Sequence, residues 1–262
     1  MTPYLPPELI GDIIEQITDH KTLAACSLTC RAWAPIAQSK YFRDLQFGQS
    51  SDKPTRFLEV IRESPHIALL PRSIGSNQWD VGDDDDGISL AEIAPLLLNV
   101  SSLSLEAVHL ACRSSRKIVG AFPSLRGLQL YSCTVELQAL SAFFQSHRTL
   151  RALSFHLGDI RSDLHREILP LRGLQDLGVL ATKEISLLIP LLVDRETPLA
   201  PIECLDLHSL DPSDSVKVYT LLLGLRHTLC VLKIGVSYFH GYFSPYDGMW
   251  FHLNSYIGLT GL

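Results

Sequence analysis

Apolar residues follow two different rhythms along this chain. In the first stretch, Leu9, Ile10, Ile13, Ile14 and Ile17 recur at helical spacing. At about 100° per residue they cover an arc of roughly 140°. Glu8, Gly11, Asp12, Glu15 and Gln16 fill the other side. Pro6 and Pro7 stand where a missing N–H costs nothing, and Glu8 suits the positive end of a helix. The pattern predicts a helix over residues 8–17. Thr18-Asp19-His20-Lys21 then reads as a turn with capping oxygens. A second helix over 22–28 places Leu23, Cys26 and Ser27 or Leu28 inward. A third opens at Thr29 or Cys30 and carries Trp33, Ile36 and Ala37. Pro35 limits it to a start near Ala32 or Trp33, or kinks it. Ile14, Ile17, Leu23 and Leu28 are expected to close the core of this unit. The core is small, and the apolar arc of the first helix is wider than two partners cover, so the unit needs a neighbour.

The second rhythm starts after a polar run at 48–54 and a helix over 56–63 carrying Phe57, Leu58, Val60 and Ile61. The template apolar-x-x-apolar-x-apolar recurs six times. It appears as Val100-Leu103-Leu105, Leu125-Leu128-Leu130, Leu150-Leu153-Phe155, Leu174-Leu177-Val179, Ile202-Leu205-Leu207 and Leu229-Leu232-Ile234. The middle positions are spaced 25, 25, 24, 28 and 27 residues apart, inside the range of roughly 20 to 29 residues of leucine-rich repeats. A weaker unit sits at Ile74, 29 residues before Leu103. Cys133 falls where that repeat class favours Asn or Cys. Helical patterns over 89–98, 136–144, 183–193 and 213–225 lie between the strands. Strand then helix, repeated, predicts an α/β solenoid with a parallel sheet. The three-helix unit would cap its open end. Between the two apolar positions of each strand, Ser104, Gln129, Ser154, Gly178, Asp206 and Lys233 should point outward. Of these, Ser104, Gln129, Ser154, Asp206 and Lys233 are candidate substrate contacts. The expected division is a helical unit at 1–47, a linker and first solenoid helix at 48–73, and a degenerate solenoid at 74–262. Eight of the 21 aromatic residues lie in 238–262, among scattered glycines. They fit a terminal cap, with a substrate-contact loop as the alternative.

Composition narrows the function. Hydrophobic residues make up 46% and charged residues 19% of the chain, which suits a globular fold. The net charge of −6 argues against a general nucleic-acid binder. No basic start and apolar h-region opens the chain. The apolar runs at 185–193 and 219–225 are too short to span a bilayer. Most of the six cysteines lie within apolar patterns, as buried thiols do in the cytoplasm or nucleus.

Catalytic and metal motifs do not assemble. The run Asp83-Asp84-Asp85-Asp86-Gly87 puts Gly82 and Ile93 where a calcium loop needs a ligand and a bidentate Glu. It reads as a solvated acidic loop. Cys26 and Cys30 have no second pair at zinc spacing. Ser114-Ser115-Arg116-Lys117 lacks its companion motifs, and no nucleophile elbow, phosphate loop or dinucleotide fingerprint occurs. His147, His208 and His227 flank repeat strands and read as surface or turn residues. The expectation is a chain with no cofactor, no metal and no catalytic activity.

The first stretch resembles an F-box. The residues that carry the likeness are Leu5-Pro6, Glu8-Leu9, Ile13-Ile14, Leu23, the run from Ser27 through Cys30 to Trp33, and Tyr41-Phe42. The run Trp33-Ala34-Pro35-Ile36-Ala37 resembles the F-box variant common in basidiomycete fungi. With the repeats, the chain is similar to F-box proteins that carry leucine-rich repeats. The resemblance implies the substrate-recognition subunit of an SCF-type cullin–RING ubiquitin ligase. A Skp adaptor would meet Leu5, Pro6, Leu9, Ile10, Ile13, Cys30 and Trp33, and a protein substrate would meet the repeats. The alternative is a repeat scaffold whose helical unit is only a structural cap. Neither membrane nor nucleic acid is implied as a partner.

Overall fold

The computed structural model describes residues 5–47, 52–77, 90–110, 121–147, 149–156, 159–161, 173–179, 192, 201–208 and 215–235. Three helices come first: α1 (Pro7–Gln16), α2 (His20–Thr29) and α3 (Ala34–Arg43). Pro7 takes the first turn of α1. Asp19 caps α2, its carboxylate accepting from the Thr22 N–H at 2.8 Å and the Thr22 hydroxyl at 2.6 Å. These bonds hold the Asp19 carboxyl below its ordinary pKa. Pro35 lies in the first turn of α3, and the helix starts at Ala34 with Trp33 as its cap, next to the start that the proline implied and not at Thr29 or Cys30. The preceding turn is closed by the Trp33 and Ala34 N–H groups donating to Cys30 O.

Strand β1 (Asp44–Phe47) follows α3 with no residue between them. It is the edge strand of the main sheet, an element that the periodic pattern did not predict. Helix α4 (Asp52–Glu63) and a 3₁₀ turn at Pro65–Leu69 lead to β2 (Ser73–Asn77), the weak unit expected at Ile74. Helix α5 (Leu90–Ile93) gives way to a 3₁₀ turn at Ala94–Leu96. Pro95 lacks the N–H that would continue the helix expected over 89–98. Next come β3 (Ser102–Glu106), β4 (His109–Leu110), β5 (Gly127–Tyr131), β6 (Thr134–Glu136) and α6 (Leu137–Ser146). They are followed by β7 (Ala152–His156), β8 (Asp159–Arg161), β9 (Asp176–Val179), β10 (Cys204–His208), α7 (Ser215–Leu225) and β11 (Val231–Gly235). The patterns at 183–193 and 238–262 and the acidic run at 83–86 fall outside the described residues, apart from Leu192.

Eight strands form one parallel sheet in the order β1-β2-β3-β5-β7-β9-β10-β11. The middle apolar positions stand in one row: Leu45, Ile74, Leu103, Leu128, Leu153, Leu177, Leu205 and Leu232. A second inward row runs from Phe47 through Leu105, Leu130, Phe155, Val179 and Leu207 to Ile234. All but the edge residues of the two rows are buried, and Ser76 is the polar member of the second. A shared carbonyl stands just ahead of β2, β3, β5, β7, β9 and β10. Arg72 O accepts from Ser101 and Ser102 N–H, Ser101 O from Arg126 and Gly127, and Arg126 O from Arg151 and Ala152. Arg151, Gln175 and Glu203 carbonyls repeat the contact further along.

A second parallel sheet, β4-β6-β8, was not predicted. The chain turns into β4 and β6 through Ala107 and Ser132, both in the left-handed region at φ 54° and 50°. Their N–H groups donate to Tyr131 O and His156 O, one repeat ahead. Cys133 is buried behind this turn, with Sγ 3.3 Å from both Leu105 O and Tyr131 O. Burial raises its thiol pKa, so it serves here as a neutral, weak donor to backbone.

The core has two parts. A small one holds Ile10, Ile14, Leu23 and Ala37 inside the helical unit. A large one runs beneath the sheet. Aromatic rings join them. Tyr41 packs on the small core and meets Phe42 edge-on at 4.8 Å, and Phe42 and Phe47 both approach Phe57 of α4 at about 6 Å.

His147 is buried, not at the surface as its flanking position implied. Its Nε2 lies 3.0 Å from Phe122 O, its Nδ1 lies 3.3 Å from Phe143 O, and its ring stacks on Phe143. Burial pushes its pKa down, against the pull of the two carbonyls. The unfolded chain therefore takes the proton first as pH falls below about 6.5. We expect urea-measured stability to decline on acidification through that range, and His147→Gln to lessen the decline. Phe155→Ala, at the centre of the buried row, should cost about 3–5 kcal/mol in the same measurement.

Candidate functional site

The helical unit divides its first helix between core and solvent. Ile10 and Ile14 lie one turn apart and both point inward. Ile10 is 3% exposed, so it closes the unit's own core and does not form the open surface expected for an adaptor contact. Leu9 and Ile13 lie on the next face, 49% and 43% exposed, and Leu5 extends their line at 39%. Pro6 and Cys30 are exposed, while Trp33 is half-buried against the small core. Leu28, expected inward, is 86% exposed. It sits five residues from buried Leu23, about 140° around the helix, and so faces away from the core. The apolar surface of the unit is Leu5, Leu9 and Ile13, with Leu28 open on α2.

The parallel register brings the second set of candidate residues together. Ser104, Gln129, Ser154, Gly178, Asp206 and Lys233 are paired across β3, β5, β7, β9, β10 and β11 in one row. All are half-buried. Gly75 and Gln46 continue the row to the edge. The Gln46 side chain lies over Gly75, where a Cβ would strike it. Gly178 leaves a notch beside Ser154, whose Oγ would stand 3.1 Å from a Cβ at that position.

Charge and aromatic groups gather at one end of this face. Asp206 Oδ1 stands 2.8 Å from His208 Nε2, and its Oδ2 stands 4.0 Å from Lys233 Nζ. Tyr131 and His156 stack in parallel, 4.5 Å between ring centres. Burial holds His156 below the ordinary histidine pKa; the nearby His208 lowers it further and Asp206 opposes both. Burial also raises the Cys204 thiol, with Lys233 opposing. Tyr131, His156 and His208 were not among the expected contacts. They stand two residues beyond the outward row, and the alternation that chose Ser104 and Gln129 would have found them if extended by one step.

The described residues place no three His, Cys, Asp or Glu side chains together to hold a metal. No described helix is long and apolar enough to cross a membrane. The outer face is a polar strip with a charged and aromatic end. Its electrostatics can be checked by NMR titration. His208→Ala should raise the pKa of His156, and Asp206→Asn should lower it further.

The geometry of the helical unit agrees with comparison to known families. A family model described as F-box-like matches residues 2–44. No curated protein matches the chain. The match ends at the first residue of β1, so the sheet lies outside it. The chain carries an F-box-like domain at its N-terminal end, over residues 2–44.

Proposed function

We propose that this chain is the substrate-recognition subunit of an SCF-type cullin–RING ubiquitin ligase. It docks a Skp adaptor on the helical unit and a protein substrate on the outer face of the sheet. The observation that carries this reading is the open stripe of Leu5, Leu9 and Ile13 on a unit whose core is already closed around Ile10, Ile14, Leu23 and Ala37. Exposed leucine and isoleucine at helical spacing suit a partner helix or groove. The adaptor set is then Leu5, Pro6, Leu9, Ile13, Cys30 and Trp33, with Ile10 supporting from beneath. The chain's part is to hold two proteins near each other, with no bond made or broken by its own side chains.

We take the region 74–262, with 48–73 as its lead-in, as the substrate-binding half and as a leucine-rich-repeat solenoid, whose sheet β1 extends at one edge. Three features support this: the repeated shared carbonyl, the parallel register at near-constant period, and the Cys133 contact with backbone. Substrate contacts are assigned to Ser104, Gln129, Ser154, Asp206 and Lys233. A second reading, in which the helical unit only caps the sheet, draws on the direct run of α3 into β1 and on the aromatic line from Tyr41 to Phe57.

Co-expression with a Skp adaptor separates the two. The expected result is a stoichiometric complex that survives gel filtration. Leu9→Asp with Ile13→Asp should abolish it while leaving circular dichroism and thermal unfolding unchanged, because neither side chain is buried. A folded wild-type chain that retains no adaptor at micromolar concentration would leave the capped scaffold.

A further inference from the structure

The edge of the sheet at which the strands begin carries a line of guanidinium groups. Carrying the parallel register back one residue aligns Arg43, Arg72, Ser101, Arg126 and Arg151 just ahead of β1, β2, β3, β5 and β7, with Gln175 and Glu203 beyond them. All four arginines are exposed. Arg72, Arg126 and Arg151 carry shared carbonyls, and Arg43 O accepts from Arg72 N–H at 2.8 Å. Adjacent strands stand about 4.8 Å apart, so the line from Arg43 to Arg151 spans roughly 19 Å. Among the described residues, no carboxylate lies within 4.0 Å of any of the four. Asp44, next to Arg43 in the chain, makes no ion pair with the line. Arg151 Nη1 reaches Gly173 O at 3.4 Å and keeps its other donors open.

The sign of the face reverses along the sheet. Asp176, Glu203 and Asp206 occupy the β9 and β10 end. A uniformly anionic nucleic acid laid along the arginines would run into these carboxylates. A peptide can be acidic over part of its length only. An extended chain rises about 3.3 Å per residue, so about six residues match the length of the arginine line. The planar guanidinium takes a carboxylate by two parallel bonds.

We propose that Arg43, Arg72, Arg126 and Arg151 form a docking site for an extended, carboxylate-rich segment of a partner protein, laid across the strands. The reversal of charge at β9 and β10 sets its direction. The site rests on the reading of the sheet as a protein-binding surface and is independent of adaptor binding by the helical unit.

Fluorescence anisotropy with the full chain tests the site. The probes are a labelled peptide of alternating glutamate and serine, its glutamine counterpart, and a single-stranded oligonucleotide of equal charge. The glutamate peptide should bind in a salt-sensitive manner and the other two should not. Arg126→Gln with Arg151→Gln should weaken it about tenfold. Arg56→Gln with Arg62→Gln, the same charge change on exposed positions of α4, should leave it unchanged. Circular dichroism and adaptor co-purification should be the same in both variants. Equal binding of the glutamine peptide, equal loss in the α4 variant, absent binding, or an oligonucleotide that binds as tightly would each overturn the proposal. Peptide binding without adaptor binding would sink the ligase reading and keep the site; the converse would do the opposite.

Discussion

One backbone contact sets the frame. Just ahead of β2, β3, β5, β7, β9 and β10, a single carbonyl accepts from two consecutive N–H groups at the start of the neighbouring strand. That fork fixes register before any side chain is considered. In a sheet buried on one face, a slip of one residue would turn every leucine outward and every polar residue inward. With register fixed, the inward rows from Leu103 to Leu205 and from Leu105 to Leu207 form continuous buried stripes. The same register lays Ser104, Gln129, Ser154, Asp206 and Lys233 in a line on the other side. The hydrophobic stripe and the polar strip are two faces of one constraint.

The small helical unit depends on that frame. Its four-residue core is too slight to hold three helices by itself. Tyr41 and Phe42 extend it into the larger core through Phe57. The chain reaches the sheet without a linker, and Arg43 O bonds the strand beyond. Leu5, Leu9 and Ile13 are left outside this joint.

Most of the sheet was legible because a period of 24 to 28 residues survives heavy substitution when each unit must bury the same two positions. All three helices of the first unit were legible to within a few residues, and Pro35 in the first turn marks where α3 starts. The strand at Asp44–Phe47 also fits the repeat template, as Phe42-Leu45-Phe47, 29 residues before the Ile74 unit. It was hidden because Phe42 reads equally well as the end of a helix. The β4-β6-β8 sheet was missed because two- and three-residue strands leave almost no alternation to detect. Leu28 was misjudged because an apolar residue on a short helix cannot be assigned to core or solvent until the helix's partners are placed. His147 was misjudged because a histidine placed between two backbone carbonyls, Phe122 O and Phe143 O, has no local sequence mark.

The absence of any residue between Arg43 and Asp44 couples two periodicities. A helix advances about 100° per residue and a strand alternates by about 180°. A single inserted residue at this point would either swing the three-helix unit to another side of the molecule or reverse the faces of β1. A graft of this unit onto another parallel sheet must therefore match phase as well as length. Chimaeras cut elsewhere in the chain, at surface turns, would escape that restriction.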